Sequence, residues 1–352
     1  MKILAKSGSK NDFGYIFSIV NLQNKSIFVL FYFIIIFMKK IIITGGAGFI
    51  GSNFLNKYVT LYTDITFINV DCLTYAGKLE NISEKVKSAH NYIFEKIDIR
   101  DTLELEEIFK RHAPTDVINF AAESHVDNSI KNPKIFTETN IIGTQNLLDL
   151  YRKYGLQRFH QISTDEVYGD IPNSGFFLET TPLNPSSPYS ASKTAADMLV
   201  KAYGRTFNIN YTITRCSNNY GPNQDNEKLI PHFIHLLQEN KPVTVYGDGS
   251  NIRDWLFVED HCDAVREVFT KAESGSIYNI GGNNEYSNLE ITKILLNEMG
   301  KNESYISFVT DRPGHDKRYA IDASKIKNEL GWEPKIKFDE GIKTTIQFYL
   351  SK

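Results

Sequence analysis

The stretch TGGAGFIG, residues 44–51, follows the apolar run Lys40–Thr44 and leads into a segment with helical periodicity. Its glycines Gly45, Gly48 and Gly51 fall at GxxGxxG spacing. That pattern restricts the fold because the three glycines do different things. One makes a tight turn after a strand, one lets backbone approach a pyrophosphate closely, and one allows close packing of helix on strand. The free N–H groups and positive end of the following helix then attract the anion. A flexible turn alone would explain the glycines but not Asp71, which ends the second apolar run twenty residues after Gly51. A carboxylate there accepts hydrogen bonds from an adenosine ribose and repels a 2′-phosphate, so the expected cofactor is NAD rather than NADP.

From Met38 onward, short apolar runs alternate with amphipathic segments. Strands are predicted at Lys40–Thr44, Thr66–Val70, Tyr92–Ile97, Asp116–Phe120, Arg158–Ser163 and Tyr211–Arg215. Between them, DTLELEEIFKRHA brings Leu103, Leu105, Ile108 and Phe109 near one helix face. Such alternation predicts an α/β fold, a Rossmann-type doubly wound parallel sheet with ligands beyond the carboxyl ends of its strands. After Arg215 come the turn-rich stretches NNYGPNQDNEKLIP, YGDGSNIRDW, GGNNEYS and DRPGHDKRYAID. They suit a smaller C-terminal α/β substrate domain that closes over a ligand. The expected division is an extension over 1–37, an NAD-binding domain over 38–217 and a mainly substrate-binding domain over 218–352, with an approximate boundary that a strand can cross.

Charge and cysteines exclude several classes. A formal net charge of −3 gives no electrostatic case for nucleic acid or an anionic membrane. Cys72, Cys216 and Cys262 are odd in number, far apart and form no CxxC, which argues against a disulfide framework or zinc site and fits a reducing cytoplasm. Ile27–Phe37 is an unbroken apolar run of eleven residues. A spanning helix needs about 20, and no small-residue cleavage site follows. The run is either a membrane-associating anchor or a stretch translated upstream of a start at Met38. The second is expected, because a Rossmann fold usually opens on its first strand. A native N-terminal peptide beginning before Met38 would refute it.

Two further motifs carry chemistry. SSPYSASKTAADMLVKAYG begins with cap-competent serines and Pro188 and reaches Gly204 as an expected stop, with Tyr189 and Lys193 four apart on one helix face. A phenol's pKa is about 10; a neighbouring ammonium and a positive nicotinamide would lower it, so that Tyr189 could take a proton as hydride leaves a sugar carbon. STDEVYG, residues 163–169, sets Asp165 and Glu166 side by side just past the fifth strand. Asp98, in DIRD, either meets the adenine or caps the helix of DTLELEE, and both hold if Asp101 caps instead.

Glycine loop, Asp71 and Tyr–Lys together resemble the extended short-chain dehydrogenase/reductase family, in which Thr164 would complete a triad with Tyr189 and Lys193. Many members place no acid pair after this strand. An enzyme that only oxidises and re-reduces a sugar carbon needs none, whereas one that eliminates water needs an acid and a base. After C4 of a hexose becomes a ketone, the C5 hydrogen turns acidic and the C6 hydroxyl can leave. Two adjacent carboxyls in a partly closed site ionise unequally, which suits Asp165 as acid and Glu166 as base.

TDEVYG, YSASK, DCLTYAG, AAESHVD, RCSNNYGP, YGDGSNIRDWLFVED and RPGHDKRYAID resemble the nucleotide-sugar 4,6-dehydratases of that family, with dTDP-glucose the substrate the likeness implies. The match runs from Met38 to GWEPKIKFDEGI and leaves residues 1–37 uncovered. By resemblance, Thr164 and Ser124 would touch the glucose, and Asn218, Lys228, Leu229, Tyr246, Arg253 and Asn288 would hold the nucleotide, with Arg312 and His315 in the DRPGH loop. Phe49, Ile50, Thr74, Asp98, Ile99, Ala121, Ala122, Thr139 and Asn219 match NAD contacts. A homodimer is also implied. One departure is Asn128, where many relatives carry Arg, which bears on charge pairing near the cofactor.

Arg253 has a second reading, a pair with Asp254, although a guanidinium is well shaped for a diphosphate. His232 and His235 lack a clustered third ligand, so no metal is expected. The rival functions are a sugar-nucleotide 4-epimerase, which needs no elimination catalysts, a 4,6-dehydratase of UDP- or GDP-sugars, and a non-catalytic NAD-binding regulator.

Overall fold

Ile42 turns to one face of a strand while Ile41 and Ile43 turn to the other, and all three are buried. Ile42 joins a core with Ile68, Val117 and Phe159; Ile41 and Ile43 join another with Phe67, Ile118 and the helix residues Phe54 and Leu55. A strand apolar on both faces belongs inside a sheet covered by helices on each side. The computed structural model describes residues 39–171, 174–311 and 315–352; the expectations for residues 1–37, for Met38 and for Arg312 lie outside them.

The strands are β1 (Lys40–Thr44), β2 (Thr66–Val70), β3 (Tyr92–Glu95), β4 (Asp116–Asn119), β5 (Arg158–Thr164) and β6 (Tyr211–Cys216). Then come β7 (Asn218–Tyr220), β8 (Val243–Tyr246), β9 (Ile252–Phe257), β10 (Ser276–Ile280), β11 (Glu285–Ser287) and β12 (Ile306–Val309). The main sheet has seven strands in the order β10-β6-β5-β4-β1-β2-β3, every neighbouring pair parallel. Crossovers run one way from β1 to β3 and the other way from β4, so the crevice for a ligand opens past the carboxyl ends of β1 and β4.

The seventh strand, β10, comes from the chain beyond residue 217 and pairs with β6, Ile277 opposite Ile213. The helix Val258–Lys271 leads into it and sends Val258, Cys262, Val265 and Phe269 into the core beneath Phe54 and Tyr58. Beside the sheet, β7, β9 and β11 form a three-stranded sheet and β8 and β12 a two-stranded one. Their core contains Phe233, Trp255, Phe257, Leu295 and Phe338. No helix among the described residues is long and apolar enough to cross a membrane.

Two local expectations are corrected. Leu103 is 79% exposed while Leu105, Ile108 and Phe109 are buried, because the Thr102–His112 helix turns only the latter three inward. The helix Pro188–Phe207 runs through Gly204 and stops at Asn208, which takes the left-handed conformation at φ 55. Gly204 instead permits contact: a Cβ there would lie 2.1 Å from the Tyr211 ring.

Candidate active site

The glycine loop sits in the crevice at the switch point. Gly45, at φ +66, passes so close to the end of β4 that a Cβ would lie 2.7 Å from the Ala121 backbone. A Cβ on Gly51 would meet the Gly45 carbonyl at 2.4 Å. The helix Phe49–Leu61 begins at Gly48 with no side-chain cap and no acid in its first turn, so its first N–H groups are left to a ligand anion. Asp71 organises this loop: its Oδ2 accepts from the Ala47 N–H at 2.9 Å and its Oδ1 from the Leu73 N–H at 2.8 Å. Two ionised oxygens offer about four lone-pair sites, so acceptor capacity remains for ribose hydroxyls. Burial nevertheless pushes the carboxyl above its ordinary value.

A cleft opens here. Gly45, Gly48, Phe49, Ile50, Gly51 and Asp71 line one side, with Thr74 beside them. Asp98, Ile99, Ala121, Ala122, Ser124 and Thr139 form the rest of the expected lining, joined by Lys228. Uncapped helix, glycine cradle and paired acid fit a dinucleotide such as NAD. Asp101 caps the Thr102–His112 helix, accepting from Leu103 and Glu104, which leaves Asp98 to the cleft. There Arg100 grips Asp98 through Nε and Nη2 at 3.0 and 2.6 Å and holds its carboxyl low against the opposing effect of burial. Asn219 lies outside this lining, bonded to the buried His261 ring at 2.9 Å.

Thr139 and Asn140 belong to a π-helical turn, Thr137–Gly143, a distortion common at functional sites. Asn140 accepts from the Glu123 N–H at 2.8 Å and donates to Ser192 Oγ at 2.8 Å, tying the end of β4 to the Tyr189 helix. Ser187 starts that helix with a reciprocal capping box to Ser190, and Pro188 takes its first position.

At the end of β5, Thr164 Oγ1 accepts from the Glu166 N–H at 3.3 Å and folds Asp165–Tyr168 into a tight turn. Asp165 is buried, with its Oδ2 unpartnered among the described residues. Its carboxyl is pushed well above the ordinary range, first by burial and then by the charges of Glu166 and Asp254. Glu166 is only half-buried, and its charge acts on Asp165, Tyr189 and Tyr319 alike. The pair is therefore electrostatically unequal, with the proton favoured on Asp165.

Tyr189 and Lys193 are both buried, and Lys193 Nζ donates to the Ile162 carbonyl at 2.7 Å. Burial and the charge of Glu166 push the phenol well up, while a hydrogen bond with Thr164 pulls it down. Burial also pushes the ammonium of Lys193 down. Among the protein's own groups burial sets the direction at Tyr189, with the Lys193 ammonium committed to a carbonyl; the expected lowering also counts the charge of a nicotinamide.

The remaining wall comes from the second half of the chain. Arg253 does not pair with Asp254, whose oxygens accept from the Gly282 and Asn284 N–H groups. Its guanidinium donates to the Ile252 and Asp316 carbonyls at 2.7 and 2.9 Å and lies 4.2 Å from the Tyr319 ring centre. Tyr319 and Ser186 both donate to the Asp316 carboxylate. Lys228 Nζ donates to the Ser124 carbonyl at 2.9 Å, and Leu229 packs against the smaller core. Asn218 starts β7, Asn288 starts the Asn288–Glu298 helix, and the exposed Tyr246 meets the His315 ring edge-on at 6.5 Å. Asn128 donates to Glu227 at 3.4 Å, in place of the ion pair an Arg could form. His235 bonds Asn226 at 3.0 Å, and no group of three potential metal ligands occurs among the described residues.

Sequence reasoning misses Tyr319, Glu123, Gln224 and Asp225 as neighbours of these groups, and names Asp254 only as a partner for Arg253. Tyr319 alone carries a signal, an aromatic residue inside the charged loop DKRYAID.

The GDP-mannose 4,6 dehydratase family matches residues 42–345. The chain is 49% identical over 334 residues to dTDP-glucose 4,6-dehydratase of Neisseria meningitidis serogroup B, covering 89% of this chain and 94% of that one. It resembles the crystal structure of dTDP-glucose 4,6-dehydratase from Bacillus anthracis in complex with NAD, at TM-score 0.83 and 47% identity over 89% of this chain and 97% of that one. The Streptomyces venezuelae enzyme of the same name, solved with NAD bound, gives TM-score 0.86 and 43% identity over 89% and 97%.

Proposed function

The chain belongs to the GDP-mannose 4,6 dehydratase family, and from that premise we propose that it is an NAD-dependent dTDP-glucose 4,6-dehydratase. It takes dTDP-glucose to dTDP-4-keto-6-deoxy-glucose and water, with no net redox change. When bound, NAD supplies a hydride acceptor for C4, a hydride donor for C6 and a positive ring charge. The glycine loop, Asp71 and the uncapped helix start hold the dinucleotide, while Arg253 and Lys228 face the nucleotide diphosphate.

Tyr189 takes the proton of the 4-hydroxyl as the C4 hydrogen leaves as hydride. Lys193 and Thr164 orient the phenol, and a nicotinamide held beside it would offset the upward push of burial and Glu166. Glu166 then removes the acidified C5 proton. Asp165 donates its proton to the departing 6-hydroxyl, which leaves as water and gives a C5–C6 double bond conjugated to the ketone. Glu166, exchanging with solvent, returns a proton to C5, and return of the hydride to C6 would complete the reaction. Closure by the polar loops of the second half keeps bulk water from the ketone.

The observation that carries this reading is the unequal acid pair, a buried Asp165 held toward its protonated form beside a half-buried Glu166, next to Tyr189. A 4-epimerase has no use for that inequality. A homodimeric state, a cytoplasmic location and service to deoxysugar supply of the dTDP-rhamnose kind complete the proposal, supported by family resemblance. The test is parallel incubation with dTDP-, UDP- and GDP-linked glucose. The dTDP sugar should give the fastest formation of a 4-keto-6-deoxy product that absorbs in alkali; a galactose epimer, or preference for another base, sinks the assignment.

A further inference from the structure

The segment 221–228, between β7 and the Leu229–Gln238 helix, has open space on both sides. Gln224, Asp225 and Lys228 line the cofactor cleft. Asn223, Gln224 and Asp225 also line a second, open-mouthed cavity of about 300 Å³, which Tyr349 and Lys352 border from the C-terminal end. The segment is therefore a thin wall, entered through left-handed backbone at Gly221 and Asn223, φ 144 and 67.

Lys228 Nζ fastens the far end of this wall to the Ser124 carbonyl and Glu227 meets Asn128 and His125, while its first half, 222–224, is held from both faces. Asn53 Nδ2 donates to the Pro222 carbonyl at 2.9 Å. Asn223 Nδ2 reaches Ser52 Oγ and the Asn81 carbonyl, each at 3.2 Å. From the other side, the Tyr349 hydroxyl donates to the Gln224 carbonyl at 2.5 Å. The Tyr349 ring is buried in the smaller core, so this bond joins a rigid body to the wall. Ser52 and Asn53 follow Gly51 on the helix whose start faces the cleft, so the wall is fastened to the element that would carry the pyrophosphate. Gln224 keeps its Oε1 buried without a partner among the described residues, an acceptor left over beside the cleft.

We propose that the segment 221–228 is a latch that sets how long NAD stays bound, with Tyr349 the positioning residue that holds it shut from the C-terminal helix. The inference rests on reading the cleft as an NAD site. Release requires the wall to swing into the cavity behind it, and the Tyr349 and Asn223 bonds break on the way. A retained dinucleotide suits a reaction in which the same molecule accepts and returns the hydride within one cycle.

The test uses the full chain loaded with isotopically labelled NAD and chased with unlabelled NAD, with bound label followed over time. Tyr349→Phe removes only the hydroxyl, and Asn223→Gly removes the side-chain donor while tolerating the positive φ. Each should speed exchange by roughly 3- to 10-fold, as loss of one hydrogen bond predicts, with the same NAD stoichiometry at saturation. A merely structural hydroxyl would lower the melting temperature and leave exchange at the wild-type rate; that result in both variants overturns the latch while the NAD reading stands. A wild-type chain that takes up no labelled NAD overturns both.

Discussion

Replacing Asp165 by Asn should make the protein more stable while stopping elimination. Asp165 is 1% exposed and its carboxyl is pushed well above the ordinary range by burial and neighbouring acids. The unfolded chain releases that proton near pH 4, whereas the folded state still holds it at higher pH. Between the two values the folded state binds more protons, so stability falls as pH rises, by about 1.4 kcal/mol per pH unit. Asn copies the shape of the neutral acid, keeps an oxygen for the Thr164 contact and has no proton to lose. The gap between variant and wild type should therefore widen by about 1.4 kcal/mol per unit from about pH 4 to the folded-state value. In melting temperature this is roughly 2 °C per pH unit, because a chain of 352 residues with about 2.1 cal/mol/K of unfolding entropy per residue shifts by only about 1.4 °C per kcal/mol. Thermal unfolding of both proteins at saturating NAD across pH 5 to 8 is the assay, and turnover of dTDP-glucose should fall about 10²–10⁴-fold, as for loss of a general acid. Parallel pH profiles, or an Asn variant less stable at neutral pH, would mean that Asp165 is ionised in the fold and cannot serve as the acid.

Three other changes probe separate parts of the mechanism. Glu166→Gln should keep its NAD but lose exchange of the C5 hydrogen with solvent by about 10²–10⁴-fold; deuterium incorporation followed by NMR reads this, and undiminished exchange removes Glu166 as the base. Gly51→Ala puts a Cβ 2.4 Å from the Gly45 carbonyl and should yield protein with only traces of NAD by chromatography of the denatured extract; normal NAD content would show that the loop does not hold the pyrophosphate. Arg253→Lys keeps the charge but loses the planar fork stacked on Tyr319. Calorimetry should then show dTDP binding weakened about tenfold with NAD content unchanged, and wild-type affinity would place the diphosphate elsewhere.

The parts of the fold that lie in local pattern are legible directly. The first six strands of the main sheet are short apolar runs bounded by turns, and their observed ends differ from the expected ones by no more than two residues. The seventh, β10, escapes because SIYNI looks like any half-buried segment until the Val258–Lys271 helix returns the chain to the edge of β6. Gly204 misleads for a similar reason: a mid-helix glycine resembles a stop, and only the Tyr211 ring against it shows its purpose.

In the site, the glycine loop with Asp71, and Tyr189 with Lys193, stand at fixed spacings on single elements, so sequence distance carries the geometry. The partners of Arg253 do not. Its guanidinium meets backbone more than sixty residues away and the Tyr319 ring, a convergence set by tertiary packing. Charge balance is likewise hidden. The Tyr–Lys spacing suggests a lowered phenol, but burial depth decides the direction, and depth is a property of the folded neighbours.

The most direct measurement follows one hydrogen. Incubated with dTDP-glucose deuterated at C4, the enzyme should deliver that deuterium to the C6 methyl group of a 4-keto-6-deoxy product, with hydrogen from solvent at C5 and NAD unconsumed. Deuterium returned to C4 of a galactose epimer, or lost to solvent, would contradict the proposal that Asp165 and Glu166 eliminate water between two hydride transfers.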